Sequence, residues 1–230
     1  LLQPGTSSSE REKLWHSLGL RPSQRGVVLV FRERQPSDQL AQRISNADPA
    51  CIAVTVGADA IAVAPDSAVL RRFTGMAAGI RAGIGGPAPV SHLHLSYARA
   101  VDALAFTDYG SPVSRIVSHG ELGALALLAR APREELLSLP GLPAIAAIEK
   151  GDNGPAELEA LEALCRSGTL RGAAKLLHLH HSSIAKRIGN VEKALGYRLT
   201  EPIPLCTAYA TLLALRLLKA GGADAELGGQ

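Results

Sequence analysis

The chain has 230 residues, enough for one large domain or two ordinary ones, and with 47% hydrophobic residues it is globular rather than disordered. Aromatic residues make up only 3%, which argues against a protein that stacks single-stranded bases on aromatic platforms. A formal net charge of +3 is too small to imply a nucleic-acid partner by itself, no apolar run reaches the roughly 18 residues needed to cross a bilayer, and the polar, Ser-rich start from Leu1 to Glu10 is no signal peptide.

Cys51, Cys165 and Cys206 are far apart in apolar contexts, so neither a disulfide framework nor a metal spacing follows, and reduced thiols in the cytoplasm are expected. The chain opens on Leu1 rather than methionine, which reads as a fragment or processed product.

In chain order, Ser9 to Leu18 reads as a short helix after a loose lead-in. Gly26 to Phe31 is a continuous apolar, β-branched run and reads as a buried strand. Ser37 is the expected N-cap of a helix from Asp38 to about Ser45. Two strands, Cys51–Val56 and Ala60–Ala64, are joined by Gly57-Ala58-Asp59 in a hairpin. Asp66 is then expected to cap a helix to about Ile80, followed by a strand over Ala82–Gly85, a helix from Ser91 to about Phe106, a strand over Ser114–Val117 and a helix over Gly120–Ala129. This order suits an α+β sandwich of a mixed sheet covered by helices. Pro140, Gly141, Pro143, Gly151, Gly154 and Pro155 then bracket a connector.

Beyond Pro155 three helices are expected. The first runs from Ala156 to about Arg166 and ends at Ser167-Gly168. Thr169 is a good N-cap for the second, Leu170 to Leu177, with Leu170, Ala173, Ala174 and Leu177 facing inward. After a break at His178-Leu179-His180, the third runs from about His181 to Leu195. Ile184, Ile188, Val191 and Leu195 fall at steps of four, three and four, a single buried stripe. Ser182, Ser183, Lys186, Arg187 and Asn190 are left for the opposite face, short polar and basic groups suited to base edges and phosphates in a major groove. Small Ala173 and Ala174 let two helices cross closely, as a helix-turn-helix needs.

Charge supports this reading. Between Cys165 and Leu199 stand seven basic residues, Arg166, Arg171, Lys175, Lys186, Arg187, Lys193 and Arg198, against the single acid Glu192, a local charge of +6 that leaves −3 on the rest of the chain. A basic module on a slightly acidic body is the pattern of a protein that sets one part against phosphates. The expected DNA-contacting set is Thr169, Arg171, Lys175, His181, Ser182, Ser183, Lys186, Arg187 and Asn190, with double-stranded DNA as partner. Against it stands the plainer reading of a three-helix bundle whose charges are merely solvated. His178, His180 and His181 invite a metal, but only His178 and His181 share a helical-turn spacing and no Cys or carboxylate completes a site, so no metal or cofactor is expected.

The run from Leu170 to Ile184 and on from Lys186 to Gly196 resembles the C-terminal helix-turn-helix of PucR/CdaR-type transcriptional regulators. His180 matches that family's His, and His181-Ser182-Ser183-Ile184 stand where it has Arg-Asn-Thr-Leu. Lys186-Arg187-Ile188 replace its Tyr-Arg-Leu, Val191-Glu192 its Ile-Glu, and Gly196 matches its Gly. The Pro202–Leu218 tail resembles the module's closing helix. The segment is also similar to LysR-type regulators, which carry the module at the N-terminus, so order favours PucR/CdaR.

That resemblance implies a degenerate GGDEF-like, ferredoxin-like middle domain. The strand Val27–Phe31, the hairpin Val56–Pro65, and Gly83–Pro87 with Ser96–Ala100 resemble it. A nucleotide cyclase needs paired carboxylates at the hairpin to hold divalent metal on phosphates. Here the run is Gly57-Ala58-Asp59-Ala60-Ile61, with Ala60 in place of the essential acid, so no catalysis is expected and Asp59 reads as a turn residue. Gly83, Gly85 and Gly86 read as turn glycines.

The expected organisation is therefore a lead-in and short helix over 1–20, a degenerate GGDEF-like α+β domain over 21–135, a linker over 136–155, an all-α helix-turn-helix domain over 156–222 and a disordered tail over 223–230. A homodimer is expected because one reading helix grips weakly, formed through the middle domain or through a helix over Thr207–Lys219 whose Leu212, Leu215 and Leu218 equally well close the monomer core. The rival from another class is a ligand- or nucleotide-binding protein whose helical module is only a protein-interaction surface.

Overall fold

The computed structural model describes residue 2 and residues 5–17, 25–35, 37, 39–48, 51–65, 79–108 and 115–227, with side chains to 220. The chain divides into two compact units that meet in sequence between Ala126 and Leu127.

The first unit is built on a five-stranded sheet: β1 (Gly26–Glu33), β2 (Ile52–Val56), β3 (Asp59–Pro65), β4 (Ile80–Ile84) and β5 (Ile116–Ser118) in the order β2-β3-β1-β4-β5. Neighbours are antiparallel except β4 and β5, which are parallel. The unbroken apolar run of β1 is explained by burial on both faces, because alternate side chains of a strand point to opposite sides. Val27, Leu29 and Phe31 share a core with Leu40, Ala41 and Ile44 of α2 (Leu40–Ala47). Val28 and Val30 face the other way, toward Trp15 of α1 (Ser8–Ser17) and toward Leu93, Ala100 and Leu104 of α3 (Leu93–Ala105). Trp15 is fully buried, so the short helix expected over Ser9–Leu18 supplies a core side chain.

Helix α3 lies directly on the backbone of β4. A Cβ at Gly83 would sit 2.0 Å from the Ala100 carbonyl oxygen, and one at Gly85 2.0 Å from that of Ser96. These glycines are packing residues rather than turn residues. Ser96 fixes the same contact, its fully buried hydroxyl accepting from the Val28 amide at 3.0 Å and donating to the Gly86 carbonyl at 2.8 Å.

Several boundaries differ from expectation. Ser37 does not cap α2; its hydroxyl donates to Glu33 at 2.7 Å, and the helix begins after Gln39. The helix expected from Asp66 lies outside the described residues, although its expected end, Ile80, opens β4. Val90–His92 form a short 3-10 turn, so α3 begins two residues after Ser91. The expected helix over Gly120–Ala129 is instead a short α4 (His119–Leu122) and a 3-10 segment (Gly123–Arg130), split where Gly123 takes a φ of +54°.

The second unit is all-helical: α5 (Arg133–Leu137), α6 (Leu142–Lys150), α7 (Gly154–Ser167), α8 (Leu170–Leu176), α9 (His181–Leu195) and α10 (Pro202–Leu227). The stretch 136–155 is not an open connector. Leu142, Ile145 and Ile148 of α6 are buried in the same core as Leu158, Leu161 and Leu164 of α7, at about 2 kcal/mol for each large side chain removed from water. Its prolines and glycines sit at helix starts and ends, where they punctuate helices rather than prevent them.

Helix α10 bears on three expectations. Pro202–Ala220 is long and apolar enough to cross a membrane, by length and composition only. It is here a core helix: Ala208, Leu212, Ala214, Leu215 and Leu218 are buried with α6 and α7, and Arg216 is paired with Glu162. The leucines weighed as a dimer face therefore close the core of their own unit. The helical backbone continues to Leu227, past the start expected for a disordered tail at 223, as its Ala, Glu and Leu content favours.

Candidate nucleic-acid interface

Helices α7, α8 and α9 form a helix-turn-helix whose joints are explained residue by residue. Gly168 takes a left-handed φ of +71° and donates to the Leu164 carbonyl at 2.8 Å, ending α7. Thr169, in extended conformation, caps α8 by accepting from the Gly172 amide at 3.0 Å. Ala173 and Ala174 are buried where α8 crosses α7, and Gly172 is tight enough that a Cβ would meet Ser167 at 2.7 Å.

The break between α8 and α9 is real. His178 adopts a φ of +53°, unusual for a residue with a side chain, and the Leu179 amide donates back to the Ala174 carbonyl at 2.9 Å. His180 then caps α9, its Nδ1 accepting from the Ser182 amide at 3.3 Å and lying 2.8 Å from the Ser182 hydroxyl. Ile184, Ile188 and Val191 are buried and Leu195 is half-buried, the stripe that their spacing implies. Gly196, at φ +79°, closes the helix by donating to the Glu192 carbonyl.

Arg171 and Lys175 on α8, and His181, Ser182, Ser183 and Lys186 on α9, are exposed, as is Thr169 apart from its capping bond. His178 and His180 lie beside them, also exposed. Arg187, half-buried, and Asn190, exposed but hydrogen-bonded, stand differently. The Arg187 guanidinium donates to the Ala156 carbonyl at 3.5 Å and lies 4.0 Å from the Glu159 carboxylate, and the Asn190 amide donates to the Glu157 carboxylate at 2.7 Å. Both reach back to α7. The reason is angular: residues 187 and 190 lie on the flank of α9 that α7 adjoins, about 100° from residues 186 and 189 of the outward row.

That outward row is Ser182, Lys186, Gly189 and Lys193, at the same steps of four, three and four as the buried stripe on the other side. All four are exposed. Lys193 and Gly189 are therefore part of the face although absent from the expected contact set. The signal was available, since the complement of the apolar spacing names them. Lys193 also stands in the last turn of α9, where a cation complements the helix dipole, so its position has a local reason as well.

In the first unit, Asp59 is the opening residue of β3 rather than a turn residue. Arg32, its cross-strand neighbour on β1, holds it with two guanidinium hydrogen bonds, one of them 2.9 Å. The turn proper is Gly57-Ala58, with Gly57 at φ +60°. The one carboxylate of the hairpin is thus neutralised, and the next position is the buried methyl of Ala60. Among the described residues no group of three His, Cys, Asp or Glu side chains is placed to hold a metal ion.

Residues 4–106 match a family model described as a GGDEF-like domain. Residues 155–203 match a model described as a bacterial regulatory helix-turn-helix protein of the lysR family, the likeness ranked second on the order of the segments. No curated protein matches the chain. Among solved structures, the crystal structure of a regulator of polyketide synthase expression from Bifidobacterium adolescentis is similar at 18% identity over 95% of this chain and 96% of that one, with a TM-score of 0.31 that marks a loose superposition.

Proposed function

We propose that this chain is a DNA-binding transcriptional regulator that sets α9 into the major groove, with Thr169, Arg171, Lys175, His181, Ser182, Ser183, Lys186 and Lys193 toward the duplex. The observation that carries the reading is the match of residues 155–203 to a regulatory helix-turn-helix model, joined to an exposed basic row on the third helix of that match. Residues at the start of the helix address base edges, and the lysines and arginine address phosphates.

The first unit carries no catalysis in this reading, because a single carboxylate already bound by Arg32 cannot assemble the metal site that nucleotide condensation needs. Its role is dimerisation or transmission of a signal. A GGDEF-like segment preceding a helix-turn-helix is the order implied by the PucR/CdaR resemblance, and we assign the chain to that type, acting in the cytoplasm as a homodimer on paired half-sites.

The test is DNA retention against salt. Lys186→Ala and Lys193→Ala should each lower the slope of log affinity against log salt by about one unit while leaving the fold intact. A chain that does not retain duplex DNA at low salt, or whose retention ignores both substitutions, supports the rival in which the helical unit binds protein.

A further inference from the structure

We infer that Gly189 is the point of closest approach between α9 and DNA, left bare so that the sugar–phosphate backbone sits against the helix between Lys186 and Lys193. This rests on the DNA-binding reading above and specifies how that face seats its partner.

Gly189 is the ninth residue of a fifteen-residue helix, a position where glycine disfavours folding more than any residue except proline. Among the described residues nothing gives it a compensating reason. Gly168 and Gly196 serve left-handed caps and Gly172 is crowded by Ser167, but Gly189 has no positive φ, and a Cβ built there meets nothing within 4 Å. The helix that presents the recognition face is weakened at its middle, on its exposed side, with no gain inside the chain. The gain is therefore outside it.

The surroundings identify the partner's chemistry. Lys186 lies three residues before and Lys193 four after on the same row, so each stands about one turn away, roughly 5–6 Å between neighbouring Cβ positions. Two flexible ammonium stems flanking a bare stretch of helix suit a ridge of negative charge lying across it. The distance along the helix selects backbone over bases. Eight steps of 1.5 Å carry Gly189 about 12 Å from the start of α9, beyond the N-terminal residues that reach base edges in this motif. The first turn is then over base edges while Gly189 is at the groove wall.

The experiment compares the full chain with Gly189→Ala and Gly189→Leu, measuring melting temperature and affinity for two duplexes, one of random sequence and one selected for binding to the wild type. Gly189→Ala should raise the melting temperature yet weaken binding to both duplexes by the same factor, about tenfold or more, with Gly189→Leu weaker still. A higher melting temperature with unchanged affinity overturns the inference. So does a lower melting temperature, which would mean the glycine serves the protein itself, or a loss confined to the selected duplex, which would mean a base contact. A wild type that binds neither duplex instead removes the DNA-binding reading on which the inference stands.

Discussion

Glu162 of α7 and Arg216 of α10 meet inside the second unit as a two-pronged ion pair, Nη2 to Oε2 at 2.7 Å and Nη1 to Oε1 at 3.1 Å, with Glu162 1% and Arg216 8% exposed. Removing one member strands the other's charge in the interior. Arg216→Ala is expected to cost about 3–5 kcal/mol in urea unfolding, whereas replacing both by apolar residues of similar volume should cost far less. A loss below about 1 kcal/mol in the single variant would show that water reaches the pair.

The Thr169 cap offers a smaller, local test. Thr169→Ala should destabilise the second unit by about 1 kcal/mol, and Thr169→Ser should restore most of it because the accepting oxygen is kept. Equal destabilisation by both would assign the effect to the lost methyl.

His178 makes the opposite prediction. A side chain in the left-handed region costs about 1 kcal/mol that glycine does not, so His178→Gly should raise stability by about that amount in thermal melts. A fall would mean that the imidazole makes a contact worth more than the backbone strain.

Arg187 and Lys186 are adjacent in sequence but face different neighbours, and DNA binding should tell them apart. Lys186→Ala should change the salt slope by about one unit, while Arg187→Ala and Asn190→Ala should leave the slope nearly unchanged and lower stability by about 0.2–1 kcal/mol through loss of their contacts to α7. Equal slopes for Lys186→Ala and Arg187→Ala would show that Arg187 leaves α7 on binding.

Alkaline pH should loosen both units. Burial, with the Asp48 carboxylate nearby, pushes the Cys51 thiol up to about 12 from its usual 9.0. In the second unit burial, reinforced by Glu162, raises the Cys165 thiol and pushes the Tyr209 hydroxyl up to about 12 from 10.0. The folded chain holds these groups neutral while the unfolded chain ionises them near their usual values. Stability is therefore complete below about pH 9 and is lost as pH rises from there toward about 12. Melting temperatures should be flat between about pH 7 and 8 and fall above about 9, less so in Cys51→Ala for the first unit; a profile flat to pH 11 would contradict this.

For three elements the local pattern was enough. The continuous apolar run Val27–Phe31 folds as a strand buried on both faces, the turn residues around Gly57 make a hairpin, and the stripe Ile184, Ile188, Val191 packs inward as its helical spacing requires. Helix starts were less legible, because Ser37 and Ser91 have the chemistry of caps but find other roles, Ser37 on the Glu33 carboxylate and Ser91 in a 3-10 turn. The face of α9 was half legible. Arg187 and Asn190 have the right chemistry for DNA, but which side of a helix adjoins its neighbour is a tertiary fact, and Glu157 and Glu159 lie some thirty positions earlier in the chain. Similarly, Asp59 gave no sign of Arg32, which meets it only through strand register.

Gly83 and Gly85 leave helix α3 resting on bare peptide, with less clearance than a single methyl group needs. At these two positions the chain has no room to drift: even alanine would act as a wedge, prising the helix from the strand and opening a gap along Val30, Ala100 and Leu104 that neighbouring side chains are too short to refill. The outer row of α9 is under no such restraint from within, so its residues are free to be exchanged for new binding preferences without endangering the body that carries them.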